Sequence, residues 1–259
     1  MSTEPFQLGI LWPALAAGLL VSATHVPLGI QVLNRGIVFI DLAVAQVAGL
    51  GVILADRFGF EPQGAAVQIA AFMAAIAGAL LLDWSERRWP EVQEAVIGVV
   101  FILAATGATL ALASNPHGAE HLKDLLIGQI LWVDPSALWL PALASALLLA
   151  VWFGMGARIG RAGFYLAFAC AVTISVQLVG LYLVFTTLIV PALATRRMTA
   201  RGRIAAAYVL AGLGHLGGLW LSVVSDLPPG PLIVWVMAAL GIALFGWTSR
   251  TASSALRAD

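Results

Sequence analysis

Residues 34–51 read NRGIVFIDLAVAQVAGLG. Beyond Arg35 the stretch is apolar or small except for Gln46 and one acid, Asp41, where a membrane-spanning helix is expected. A carboxylate at that depth costs about 2.5–3.5 kcal/mol on insertion scales, so a chain keeps one only where it meets a partner, a water-filled path or a cation. The rest of the sequence reads as apolar walls around that position.

Composition supports the bilayer setting. The chain has 259 residues, 61% of them hydrophobic and only 10% charged, against about 25% charged in soluble domains. Thirteen basic residues balance thirteen acidic ones, so neither a nucleic-acid partner nor a polybasic surface anchor is indicated. Cys170 is alone in an apolar run, which excludes an intramolecular disulfide and a thiolate metal cluster. The acidic start, MSTEPFQ, lacks the basic region of a cleaved signal peptide, so the first apolar stretch is read as a retained span. No glycine-rich loop ends in Gly-Lys-Ser/Thr, so this chain is not expected to bind ATP through a P-loop.

A crossing needs roughly 20 apolar residues. Nearly uncharged runs lie at 8–32, 37–55, 64–82, 95–114, 137–155, 162–195, 204–224 and 231–248. The run between Arg161 and Arg196 has 34 residues without a charge. As one helix it would reach about 51 Å, well past a core of about 30 Å. Two shorter crossings need a break, expected near Gln177–Gly180, with Pro191 interrupting the second. With nine crossings, eleven of the thirteen basic residues fall on one side, leaving Arg57 and Lys123 opposite. The positive-inside rule favours that split. The expectation is an all-α polytopic transmembrane bundle of about nine crossings, with a broken region near 164–193, the N-terminus outside, and residues 1–259 as one transmembrane domain.

The polar residues inside these spans are few. Asp41 is expected about six residues into the second span, roughly 9 Å deep, and His25 at a similar depth in the first. His215 falls near the middle of the eighth crossing. One carboxylate and two imidazoles on one cavity would suit a first-row divalent ion such as zinc or manganese. The plainer alternative is that each histidine bonds a neighbouring backbone carbonyl and Asp41 pairs with Gln46 or an arginine. Outside the spans, NPHGAEHLKD (115–124) gathers His117, Glu120 and His121, a capture site or simply a solvated loop. The apolar LLIGQILWV that follows (125–133) is too short to cross and reads as re-entrant or interfacial.

At these residues a family resemblance emerges. HVPLGIQVLNRGIVFIDLAVAQVAGLG (25–51), AVIGVVFILAATGATLALASNPHGAEHLKDLLIGQILWV (95–133) and GLYLVFTTLIVPALAT (180–195) together resemble the permeases of zinc/manganese-type ABC importers, over most of the chain and in the same order. The resemblance implies a permease dimer, of two identical or two related chains, in the bacterial cytoplasmic (inner) membrane. Two cytoplasmic ATP-binding subunits would drive it, and an extracytoplasmic metal-binding protein would deliver the ion. The chain itself would be a translocation subunit and not an enzyme, and the metal would be cargo, with no permanently bound cofactor. Two departures stand out. Better-known members follow the span-two acid with a histidine four residues on, where this chain has Ala45. They also carry a cytoplasmic docking helix between the fifth and sixth spans, where this chain has only GMGARIGRAG (154–163). A proton-coupled secondary transporter using Asp41, and a degenerate membrane protein that transports nothing, are the alternatives.

Overall fold

The computed structural model describes residues 5–60, 64–112, 126, 128 and 130–255; among these are nine α-helices and no strand. They are α1 (Pro5–Arg35), α2 (Ile40–Arg57), α3 (Ala65–Arg88), α4 (Gln93–Leu112), α5 (Trp139–Met155), α6 (Gly160–Val179), α7 (Leu181–Ala194), α8 (Ala200–Ser225) and α9 (Pro229–Ala255). Each falls on an apolar run named above. Seven are long and apolar enough to cross a membrane. The other two are α2, which carries Asp41, Asp56 and Arg57, and α7, whose 14 residues rise only about 21 Å.

The long uncharged run breaks at Gly180, whose φ of +86° favours glycine. Its N–H donates to the Val176 carbonyl at 2.9 Å, closing α6 before α7 begins. Pro191, however, does not interrupt the second half: α7 continues through it to Ala194. Pro191 sits in the last turn, where only one backbone hydrogen bond is forfeited.

In lipid no apolar driving force separates helix from tail, so close contact depends on small residues. The small-residue pairs Ala14–Gly18, Ala74–Gly78 and Gly214–Gly218 serve this. A Cβ on Gly218 would lie 2.3 Å from the Ile233 Cα, and one on Gly78 would lie 3.1 Å from Val47. These contacts bring α8 onto α9 and α2 onto α3. α1 is the inner helix, with 61% of its apolar window buried, whereas α5 has 6% and faces outward. The buried α7 packs against α1 with Leu183, Val184 and Leu188.

A second positive-φ glycine lies ahead of α5. Gly128 has φ +71°, and a Cβ there would lie 2.3 Å from the Val179 carbonyl oxygen. Ile130, next along, is buried among Val21, Val179 and Leu183. Gly128 and Ile130 of the short apolar segment are thus packed against the α6–α7 break, whereas Trp132 is exposed. Asp134 then accepts the Ser136 N–H at 2.8 Å, a bond that holds its carboxyl below the usual carboxylate range and opens the turn into α5.

Candidate functional site

Asp41 is the second residue of α2, not six residues inside it. Gly36, at φ +72°, ends α1, and the chain turns through Phe39 before helical bonding resumes. The turn accounts for the difference, because it uses residues that an apolar count assigns to the span. Asp41 is fully buried nonetheless. Its Oδ1 accepts the Leu42 N–H at 2.9 Å, and its Oδ2 has no hydrogen-bond partner. A carboxylate in a first helical turn is favoured by the helix dipole and its free N–H groups. That accounts for one oxygen and leaves the other available.

A second carboxylate joins this helix start. Glu94, in the first turn of α4, accepts the Phe39 N–H at 3.3 Å through Oε1, while Oε2 is buried without a partner. Sequence reasoning missed Glu94 because it sits just outside the apolar run. The signal available was an acid at a helix start bordering a span.

His25 and His215 are each fully buried. The His25 Nδ1 lies 3.0 Å from the Val21 carbonyl and 3.0 Å from the Thr24 hydroxyl, and the His215 Nδ1 lies 2.9 Å from the Ala211 carbonyl. A carbonyl only accepts, so Nδ1 carries the proton and Nε2 keeps its lone pair. Neither Nε2 has a hydrogen-bond partner. The His215 ring lies directly on α1: a Cβ at Gly18 would stand 2.1 Å from its Cδ2. Both rings therefore use the backbone bonds of the plainer reading, yet each retains a free basic nitrogen.

Among the described residues, no three of His, Cys, Asp and Glu come together as a metal-holding group. Asp41 pairs, among the described residues, with neither Gln46 nor an arginine. Ala45 and Gln46 instead line a cleft with Gly49, Ala108, Val176 and Leu181, of about 10 Å³, room for one water. His117, Glu120 and His121 lie outside the described residues.

Where α1 ends, three charged side chains meet. Glu86 of α3 lies 3.9 Å from Arg35 of α1 and 3.7 Å from Arg161 of α6. Beside them, Gln93 of α4 donates to the Leu82 carbonyl and to the Tyr165 hydroxyl, and accepts from Ser85. This network ties the ends of four helices. Between α5 and α6 the chain makes only a four-residue 3-10 turn, Gly156–Ile159.

Comparison with known proteins places the chain in context. The model of the ABC 3 transport family matches residues 7–157 and 150–247. The high-affinity zinc uptake system membrane protein ZnuB of Haemophilus influenzae is 26% identical over 254 residues, covering 89% of this chain and 95% of that one. An uncharacterised membrane protein of Synechocystis is 28% identical over 256 residues, covering 90% and 89%. Among solved structures, PsaBC from Streptococcus pneumoniae in complex with Fab aligns with a TM-score of 0.73 at 17% identity, covering 91% of each chain. That last likeness is one of fold.

Proposed function

The chain belongs to the ABC 3 transport family, and from that premise we propose that it is the membrane-spanning subunit of an ATP-driven importer of a divalent metal ion, zinc or manganese. Residues 1–259 act as one transmembrane unit in a bacterial inner membrane. ATP is hydrolysed on separate cytoplasmic subunits, a binding protein delivers the ion from outside, and a second permease chain, most simply a copy of this one, completes the path. The observation that carries the proposal is Asp41, a fully buried carboxylate with one oxygen unpartnered. The relative named for zinc uptake supports metal as the cargo.

In this reading the loop bearing His117, Glu120 and His121 receives the ion, and Asp41 takes it up at the start of α2. The unpartnered Nε2 atoms of His25 and His215 are further ligands. Rocking of the two permease subunits, driven from the cytoplasmic side, switches access between the faces. That rearrangement has work to do, because the three intramembrane candidates do not share one site in this conformation.

A second reading, a proton-coupled transporter using Asp41, draws on the short Gly156–Ile159 turn, which offers a motor little to grip. One experiment separates the two. Cell-associated zinc and manganese are measured in an import-deficient bacterium expressing this chain with candidate ATPase and binding-protein partners. Accumulation that needs both Asp41 and ATP supports the importer. Uptake that survives ATP depletion but collapses with the pH gradient replaces it with the second reading.

A further inference from the structure

α1, α5 and α6 leave an open cavity of about 520 Å³ at the end of the bundle where α1 stops and α6 starts. Arg35, Arg161 and Gln31 supply its polar lining, and Trp152, Ile159 and Phe164 its apolar walls. Trp152 also lines a narrow apolar cleft on the same three helices, with Pro27 and Leu28 of α1, Leu148 and Leu149 of α5, and Ala167 of α6. On α1 the two linings run from Arg35 to Thr24, a rise of about 16 Å.

The polar end is under-neutralised. Arg35 and Arg161 share one carboxylate, Glu86, whose near oxygen is 3.9 and 3.7 Å away and makes no hydrogen bond. Arg35 also stacks 4.2 Å over the Phe164 ring, a contact that orients the guanidinium without using its N–H groups. Two guanidinium forks with spare donors match phosphate oxygens. The outer wall is α5, whose apolar window is only 6% buried.

We propose that cavity and cleft form one binding site for an anionic phospholipid of the cytoplasmic leaflet. Its phosphate sits between Arg35 and Arg161, and an acyl chain lies along the α1–α5–α6 seam. Basic pockets between transmembrane helices on the cytoplasmic side recognise such headgroups, and the apolar continuation past Trp152 selects a lipid over a soluble anion. The site adjoins the Gly156–Ile159 turn, since Ile159 lines it, so an occupying lipid would brace the segment between α5 and α6. The inference rests on the functional reading only for which membrane face this end meets.

The test is native mass spectrometry of the full chain in mild detergent, incubated with phosphatidylglycerol or phosphatidylethanolamine. Wild type should retain phosphatidylglycerol preferentially. Arg161→Gln should retain about fivefold less, the effect of one basic residue at an anionic headgroup. Ala167→Phe should lower retention by filling the cleft, with helical content unchanged by circular dichroism. No preferential retention by wild type, or equal retention by all three proteins, would overturn the site. Displacement by millimolar inorganic phosphate would make it a soluble-anion site and overturn the lipid assignment. Orientation is read separately, by labelling Arg158→Cys in a Cys170→Ser background with a membrane-impermeant maleimide on intact cells. Absence of labelling is expected, whereas labelling would overturn the leaflet. Neither readout depends on transport, so loss of the importer reading would leave the lipid result interpretable.

Discussion

Gly128 and Gly180 meet backbone to backbone: both have positive φ, +71° and +86°, and a Cβ on Gly128 would stand 2.5 Å from the Gly180 nitrogen. The Gly128 backbone, ahead of α5, thus stacks on the buried break between α6 and α7. Irregular backbone within a membrane is tolerated only where protein or water covers it, and this contact covers the break at Gly180.

Gly128→Ala and Gly180→Ala should each destabilise the protein. The positive-φ backbone alone costs an L-residue about 1–3 kcal/mol, and at position 128 a clash with Val179 adds to it. Gly98→Ala, where a Cβ meets nothing within 4 Å, should be neutral or stabilising by about 0.5–1 kcal/mol. Thermal unfolding of the purified variants reads all three. An unchanged midpoint for Gly128→Ala would refute the packing.

Gly18→Ala should displace the His215 ring, which stands 2.1 Å from the added carbon, and destabilise by about 1–3 kcal/mol, the range for overpacking. His215→Ala in the same chain should recover part of the loss. A double-mutant cycle giving a coupling of at least about 1 kcal/mol would confirm contact across α1 and α8.

Asp41→Asn separates a structural from a transporting role. Asparagine keeps an oxygen for the Leu42 N–H but removes the charge that a cation needs. Thermal stability should hold within about 1 kcal/mol while metal accumulation falls to background. Normal accumulation by Asp41→Asn would reduce Asp41 to a helix-start residue.

Metal uptake should weaken on acidification. Imidazole and carboxylate ligands must be deprotonated to bind, so protons compete with the ion. Each proton displaced should cost up to about tenfold in apparent affinity per pH unit below the ligand's titration. Uptake at subsaturating zinc or manganese between pH 7.5 and 5.5 measures this, and a rise at acid pH would favour proton coupling.

The bilayer setting, the helix positions and the break at Gly180 were all legible in the sequence, because they depend on the length of apolar runs and on where charges interrupt them. A 34-residue run between Arg161 and Arg196 must break to fit the membrane, and glycine is the residue that breaks it. Asp41, His25 and His215 were legible as polar exceptions in such runs. Tertiary structure decided the rest. It set α2 to start at Ile40, brought Glu94 to Phe39, seated His215 on Gly18, and did not gather the three intramembrane candidates into one metal-holding group. Apolar run length is a property of neighbouring residues against a fixed bilayer thickness, whereas Gly18 and His215 are nearly two hundred positions apart in sequence. Which small residue makes room for which ring is settled only when the helices pack.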